Sequence, residues 1–179
     1  MYIDKIETKD LILKKASMDD LNDMYVNIWS EDESAKYMLW TPINNIEKAK
    51  VRMIKTIEFQ KDKIAYLVYE KQSGQAIGFA GMKEIEDKVY EDSGIAIGSK
   101  FVGRGYGKQI LMALVDYCFE VLGAIRIVCS CRSENIPSKN MQLSCGFHYS
   151  HSQAMVDKRD GLSYMLDFYE LNRNIYFGN

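Results

Sequence analysis

A glycine-rich turn between a short strand and an amphipathic helix is the feature that most constrains how this chain can fold. The strand is Ile95–Ile97, the turn carries Gly103, Gly105 and Gly107, and the helix continues as Lys108–Leu122. Apolar residues recur along that helix every three to four positions, which is typical of a helix with one buried face. Glycines before a helix let backbone N–H groups approach a ligand, and the positive end of the helix dipole favours an anion. The sequence therefore predicts a phosphate-binding turn.

Three kinds of phosphate-binding turn can be compared with these residues. A Walker A loop fails at two positions, because Val102 stands where its first glycine is needed and Gln109 stands where it needs Ser or Thr. A dinucleotide fingerprint fails because Lys108 or Ile110 replaces its third glycine, depending on the starting point. The third kind is a pyrophosphate loop of the form (Gln/Arg)-x-x-Gly-x-Gly/Ala, and residues 105–107 match its second half.

Two motifs together resemble the GNAT acyltransferase superfamily, in particular its ribosomal-protein N-terminal acetyltransferase (RimJ/RimL-like) branch. Residues 102–107 (Val-Gly-Arg-Gly-Tyr-Gly) resemble the acetyl-CoA pyrophosphate loop. Residues 135–147 resemble the family's Asn-x-x-Ser helix, which ends in Gly146-Phe147. Val102 departs from the Gln or Arg that many members have at the start of the loop.

The resemblance implies an α/β fold with a single mixed, mostly antiparallel central sheet flanked by helices, as one domain over residues 1–179. It also implies an N-acetyltransferase that moves an acetyl group from acetyl-CoA directly to a primary amine, either a protein N-terminus or a small molecule. The alternative is a catalytically silent module of the same fold that binds CoA and serves regulation or interaction.

Composition narrows the remaining classes of function. The 179 residues carry a formal net charge of −2, which disfavours nucleic acid as a partner because phosphate neutralisation needs a basic face. No apolar run approaches the ~18 residues of a membrane span, and the N-terminus lacks a signal-peptide core. We therefore expect a cytoplasmic protein without a membrane or nucleic-acid partner, either monomer or homodimer. The four cysteines lack metal-ligand spacing, so we expect reduced, mostly buried thiols and no metal site.

Capping residues and periodicity predict the other elements. Ser17, with Asp20 three residues on, reads as the capping box of a first helix that ends near Ser30, after a strand at Leu11–Leu13. Asn44 or Asn45 begins a second helix, which ends near Lys61. The overall order is predicted as β-α-α-β-β-β-α-β-α-β-β.

The middle of the chain is predicted to be a set of antiparallel strands. Residues 64–69 and 76–82 form a hairpin, residues 84–88 turn, and Val89–Ile97 is the strand that leads into the glycine turn. Alternation along the second of these strands places three small residues on one face, which indicates close approach of another element. These residues are Ala76, Gly78 and Ala80.

By resemblance, the cofactor residues form three groups: the strand whose backbone the pantetheine arm follows, the pyrophosphate loop with its two cations, and the start of the Asn-x-x-Ser helix. These residues are Ile95, Ala96, Ile97, Val102, Gly103, Arg104, Gly105, Tyr106, Gly107, Lys108, Asn135 and Ser138. An alternative for Arg104 and Lys108 is an ordinary solvated helix start, and for Asn135 a turn or cap.

The catalytic candidates are Ser138, Glu84 and Asp92. Many family members have a Tyr four residues after the motif serine, and this chain has Gln142 there, which is a poor acid. Ser138 matches the serine that can steady the leaving thiolate in the N-terminal acetyltransferase branch, and the resemblance therefore implies that role for it. Glu84 and Asp92 are candidate bases for the attacking amine, directly or through a water. A third possibility needs no base, if the protein binds an amine that is already neutral.

Two further clusters have both a functional and a structural interpretation. The aromatic segment Tyr37–Pro42 either packs between two helices or lines the acceptor pocket, as the equivalent segment often does in the family. Cys145 and His148 suggest a thiol nucleophile, but no orienting Asp or Asn is evident, so a structural role is favoured.

Overall fold

An eight-stranded mixed sheet organises the chain, in the order β1-β2-β3-β4-β5-β6-β8-β7. The computed structural model describes residues 2–178. Every strand pairing is antiparallel except that of β5 with β6, which is parallel. The strands are β1 Lys5–Glu7, β2 Leu11–Lys14, β3 Ile64–Glu70, β4 Ala76–Glu86, β5 Val89–Ile97, β6 Arg126–Arg132, β7 His148–Val156 and β8 Ser163–Asn172.

The helices cover both faces of this sheet. Helix α1 consists of a 3-10 turn, an α-helical turn and a π-helical turn, which are Met18–Asp20, Leu21–Met24 and Tyr25–Trp29. The others are α2 Asp32–Ala35, α3 Ile46–Gln60, α4 Tyr106–Asp116 with a π-helical end at Tyr117–Val121, α5 Ile136–Ser144 and α6 Arg173–Phe177. This architecture confirms the predicted fold class.

Two hydrophobic cores lie on opposite sides of the central strands. On one side α4 and α5 pack on the sheet, with Leu111, Leu114 and Phe119 fully buried. On the other side α1 and α3 contribute Trp29 and Met53 to a second core. Strand β3 is buried along its whole length, because it lies between the two cores. None of the helices within residues 2–178 combines the length and apolarity needed to cross a bilayer.

Several predicted boundaries are confirmed. Ser17 and Asp20 form the capping box of α1. The Ser17 hydroxyl accepts a backbone N–H of the first turn, and the Asp20 carboxylate accepts the backbone N–H of Ser17. Asn45 caps α3, and its Oδ1 accepts the N–H of Glu47 at 2.7 Å. Strand β5 has the bounds predicted for it. Gly146 lies just after the end of α5 and has a φ of +88°, as expected of a glycine that stops a helix.

Other boundaries were wrong for local reasons. Strand β4 continues through Glu86, so the turn predicted for residues 84–88 contracts to the two residues Asp87 and Lys88. Glu84 stabilises this tight turn because its Oε1 accepts the N–H of Lys88 at 2.9 Å. Strand β1 and helices α2 and α6 were missed, since each is five residues or shorter and has no clear period.

The prediction that three small residues of β4 share one face was also wrong. The register between β3 and β4 shifts between Tyr69 and Val68, so Ile77 is an extra residue in β4. That bulge reverses the alternation, and Ala76 packs in the core beside α1 and α3 while Ala80 packs in the core beside α4. The small residue at position 78 is still needed, because a Cβ on Gly78 would collide with the carbonyl oxygen of Ala96.

Candidate active site

The parallel strands β5 and β6 separate partway along their length, and this separation opens a cavity. Their pairing covers only three positions, the last of which is Glu91 opposite Val128. On the other side of β5, the register with β4 shifts between Ala80 and Met82, which places Ser93 and Gly94 in a bulge. Gly94 has a φ of +111°, in the region that favours glycine. The bulge therefore turns β5 away from β6.

Beyond the bulge, one edge of β5 has no neighbouring strand among the residues that the structure describes. The N–H of Gly98 donates to Ile77 in β4, and the carbonyl of Ala96 also faces β4 at Gly78. Backbone groups alternate in direction along a strand, so those of Ile95 and Ile97 face the open edge. Two of the three predicted strand residues thus have backbone groups free to pair with an extended ligand, whereas Ala96 does not.

Asp92 bridges the two separating strands. Its Oδ2 accepts the N–H of Ser130 in β6 at 3.0 Å, and its Oδ1 accepts the N–H of Gly94 in the bulge at 3.1 Å. Removal from water raises the pKa of Asp92 to about 6, although the two N–H donors act in the opposite direction. A carboxyl group with a pKa near neutrality can accept a proton at physiological pH.

The cavity between the strands has a volume of about 500 Å³ and brings together most of the predicted catalytic residues. Asp92, Asn135, Ser138 and Gln142 all line it, and so does the Tyr37–Trp40 segment, which supports the pocket interpretation of that segment. Glu84 does not line it.

Helix α5 presents its first turn to this cavity. Asn135 caps the helix, because its Oδ1 accepts the N–H of Ser138 at 3.3 Å. Gln142 is 3% exposed, and its Nε2 donates to the Ser138 Oγ at 3.3 Å and to the Ser130 carbonyl at 3.4 Å. Gln142 Oε1 is buried and has no hydrogen-bond partner within residues 2–178. A buried acceptor without a donor is costly, and this one belongs to a residue that lines the cavity.

The glycine turn begins α4 with free backbone donors. Gly103 and Gly105 have φ values of +78° and +77°, which explains why both are glycine. No side chain within residues 2–178 caps α4, and its first backbone bond runs from the Gln109 N–H to the Gly105 carbonyl at 3.3 Å. The N–H groups of residues 106–108 are therefore available to an anion. Gly107 instead allows α4 to pack closely against α5, because a Cβ there would lie 2.7 Å from the Met141 sulfur.

The polar side chains of the turn are bound by the protein. Buried Glu70, at the end of β3, accepts from the Arg104 Nη1 and from the Tyr106 hydroxyl, both at 2.7 Å. Lys108 Nζ donates to the Ser144 carbonyl at 3.0 Å. These three side chains help to hold the turn in place, and no backbone bond within residues 2–178 engages the N–H groups of Tyr106 and Lys108. Val102 is 61% exposed beside them.

A second ionic cluster fixes the aromatic segment over the cavity. Asp157 is 2% exposed and accepts from both Arg132 and Arg159, and these hydrogen bonds hold the pKa of Asp157 well below its usual range. Arg159 also donates to the carbonyls of Ala35 and Trp40, at 3.3 and 3.1 Å. Sequence analysis did not predict this cluster, because Asp157 and Arg159 meet Arg132 and the Ala35 and Trp40 carbonyls only through the fold.

The four cysteines are free thiols in buried positions, as predicted. Burial raises the pKa of the Cys131 thiol to about 11 and that of Cys118 to about 12, and raises the pKa values of Cys129 and Cys145 as well. Burial therefore disfavours Cys145 as a nucleophile. No group of three or more His, Cys, Asp or Glu side chains within the described residues is arranged to hold a metal ion.

Comparison with known proteins places this geometry in a family. Residues 10–148 match the acetyltransferase (GNAT) domain family. The chain belongs to the GNAT family. It is an acetyl-CoA-dependent acetyltransferase.

Individual relatives agree with this assignment. The chain is 25% identical to the uncharacterized N-acetyltransferase p20 of Bacillus licheniformis, over 98% of this chain and all of that protein. The GNAT-family acetyltransferase of Bacillus anthracis shares its fold with a TM-score of 0.83 at 17% identity, covering 95% of this chain and 99% of that one. A protein from Vibrio cholerae, described as a ribosomal-protein-serine acetyltransferase, has a TM-score of 0.76 at 21% identity, covering 94% and 97%.

The attachment of the glycine turn to Glu70 leads to a stability prediction. The hydrogen bond from Tyr106 and the neighbouring Arg104 hold the pKa of Glu70 below its usual value of 4.5. The carboxylate therefore stabilises the fold above that pH, and this contribution is lost as the pH falls. We expect Glu70→Gln to lower the free energy of unfolding by about 1–3 kcal/mol at pH 7, and by progressively less as the pH falls through the lowered pKa of Glu70.

Urea denaturation at several pH values measures this difference. Glu58→Gln is the matched control, because Glu58 is exposed and pairs only with the exposed Lys61, so its effect should stay within about 0.5 kcal/mol. A Glu70→Gln protein as stable as the wild type at pH 7 would contradict the assignment.

Proposed function

We propose that the cavity between β5 and β6 is where an acetyl group passes from acetyl-CoA to a primary amine, of a protein N-terminus or of a small molecule. The observation that supports this most strongly is the combination of an open strand edge with two helix starts at the same end of the parallel strands. In α/β sheets, ligands bind outside the carboxyl ends of strands at such a separation.

The residues of this chain suit each part of acetyl-CoA. The free N–H groups at the start of α4 would hold the pyrophosphate, because the helix dipole favours negative charge there. The open backbone groups of Ile95 and Ile97 would pair with the amides of the pantetheine arm, and the Asn135 Nδ2 would donate to the same arm. When bound, acetyl-CoA supplies the thioester from which the acetyl group is transferred.

Asp92 is our candidate for the base. It lines the cavity, its pKa of about 6 suits proton acceptance near neutrality, and its two backbone hydrogen bonds fix its position. Glu84 is a weaker candidate, since its carboxylate is exposed and bonded to the turn at Lys88. The Asp92 carboxylate would take the proton of the amine directly or through a water.

Ser138 is our candidate for steadying the leaving thiolate. Gln142 Nε2 donates to the Ser138 Oγ, so the serine proton is directed away from Gln142 and is free to be donated. Gln142 thus orients the serine and is not itself an acid, in place of the Tyr that many relatives have. Its unpartnered Oε1 offers an acceptor to the incoming ligand.

Binding of acetyl-CoA can be tested with two glycines of the same helix. Gly105→Ala and Gly123→Ala should each cost about 1 kcal/mol, since both positions have positive φ, +77° and +70°, and an added Cβ meets no neighbour. Only Gly105 lies at the start of α4. We expect acetyl-CoA at 100 times its Kd to stabilise the wild type and Gly123→Ala by about 2.7 kcal/mol, roughly 5–10 °C in Tm.

Gly105→Ala should lose most of this shift. Thermal unfolding with acetyl-CoA, and with ATP and NAD as controls, measures it. No shift for the wild type at millimolar acetyl-CoA, or equal shifts for both variants, would contradict the binding assignment. A shift without thiol release from any amine would instead favour the silent module.

The role of Asp92 leads to a pH prediction. The carboxylate form accepts the proton, so kcat/KM for acetyl transfer should rise with pH through an apparent pKa near 6, the value that desolvation gives Asp92. Asp92→Asn should no longer show this rise with pH, and its kcat/KM should fall by about 100-fold or more. Glu84→Gln should keep both the rise with pH and the wild-type kcat/KM. A profile of Asp92→Asn that follows only the acceptor's own titration with no loss of rate would favour transfer without a base.

A further inference from the structure

Arg52 of α3 holds its guanidinium between two indole rings. Its Cζ lies 4.9 Å from the ring centre of Trp29 in α1 and 4.7 Å from that of Trp40 in the segment over the cavity. Stacking of this kind fixes the plane of the guanidinium and leaves its edge, which carries the N–H donors, free to bind.

Arg52 differs from every other arginine of the chain in having no acceptor. The other five each bond or pair with a carboxylate or a backbone carbonyl, and they are Arg104, Arg126, Arg132, Arg159 and Arg173. Within residues 2–178 no hydrogen bond or ion pair engages the Arg52 guanidinium. Burial lowers its pKa only to about 10, so it carries a full charge at neutral pH.

Both indoles beside Arg52 also lack an acceptor. The Nε1 atoms of Trp29 and Trp40 are buried without a hydrogen-bond partner, and Trp29 is only 1% exposed. Three neighbouring side chains therefore offer donors that the protein does not satisfy. An unpaired buried donor is costly, so a ligand that brings a hydrogen-bond acceptor to these side chains would be stabilised by them.

A second cavity of about 270 Å³ opens beside Arg52 and meets the first one there. Four residues line both cavities, and they are Arg52, Phe79, Ser93 and Gly94. The second cavity has aromatic walls from Trp29, Phe59 and Tyr66, and two cations, Arg52 and Lys55, line it. None of its lining residues is an Asp or a Glu.

The β5 bulge connects this basic, aromatic pocket to the proposed site of transfer. Asp92 directly precedes the bulge, and Ser93 and Gly94 line both cavities. One molecule at the bulge can thus meet the Asp92 carboxylate with one group and the unpaired Arg52 guanidinium with another. Such a molecule carries both an amine and an anion.

We propose that Arg52 binds a carboxylate of the acceptor, and that the acceptor is an amine with an aromatic or apolar body and a carboxylate, as in an aromatic amino acid. The planar guanidinium edge matches the two oxygens of a carboxylate. This inference rests on the proposed function, since it assumes that the amine is acetylated beside Asp92.

Matched acceptors test the proposal. Phenylalanine and 2-phenylethylamine share the ring and the primary amine and differ in the carboxylate. We expect Arg52→Met to lower kcat/KM for phenylalanine by about 10- to 100-fold, mainly through KM, and to change that for 2-phenylethylamine little. Comparing the two acceptors across variants cancels their different intrinsic reactivities. Lys50→Met is the control, because Lys50 lies exposed on the same helix.

A binding measurement on the wild type needs neither turnover nor a variant. Titration calorimetry in the presence of CoA should show binding of 3-phenylpropanoate and at least 10-fold weaker binding of 3-phenylpropanamide, which lacks the charge. Equal binding of the two compounds would overturn the proposal. So would a preference for 2-phenylethylamine or spermidine that Arg52→Met leaves unchanged.

The two failures are distinguishable. If amines such as 2-phenylethylamine are acetylated but a carboxylate on the acceptor changes neither binding nor kcat/KM, the assignment of Arg52 is wrong and the proposed function stands. If acetyl-CoA neither binds nor reacts, the proposed function fails, whatever the carboxylate does.

Discussion

The separation of β5 from β6 is the constraint on which the rest of the site depends. Two parallel strands that stayed paired to their ends would leave no free backbone and no cavity. The bulge at Ser93 and Gly94 ends the pairing, and the Asp92 carboxylate takes the N–H of Ser130 that the ladder no longer satisfies. The desolvation that comes with this position is also what raises the pKa of Asp92 to about 6. A structural link between the strands is thus also the proposed base.

Buried charge then holds the loops around the opening in place. Glu70 binds Arg104 and Tyr106, which fixes the turn whose backbone faces the proposed pyrophosphate. Asp157 binds Arg132 and Arg159 and, through Arg159, the carbonyl of Trp40. In both clusters an inward carboxylate is matched by arginines, which the cost of burying an unpaired charge requires. Against this pattern, the missing partner of Arg52 stands out.

The sequence predicted the elements that depend on local signals. The glycine turn, the capping box of α1, the Asn45 cap of α3, strand β5 and the α5 start were all readable, because glycine at positive φ and capping side chains act on near neighbours. The β4 bulge at Ile77 was not readable, since it depends on register with β3. The contacts of Arg104 and Lys108 with Glu70 and Ser144 were not readable for the same reason, because these partners lie 34 and 36 residues away. Only the fold shows that Arg52 lacks a partner.

The most direct test is amide hydrogen exchange across β5 and the start of α4, with and without acetyl-CoA. The account predicts slower exchange at Ile95 and Ile97 and at residues 106–108, because these N–H groups face the open edge and the free helix end. Exchange at Ala96 should change less, since its backbone groups already face β4. Unchanged exchange at all of these amides at saturating acetyl-CoA would contradict the central claim that the ligand occupies the opening between the strands.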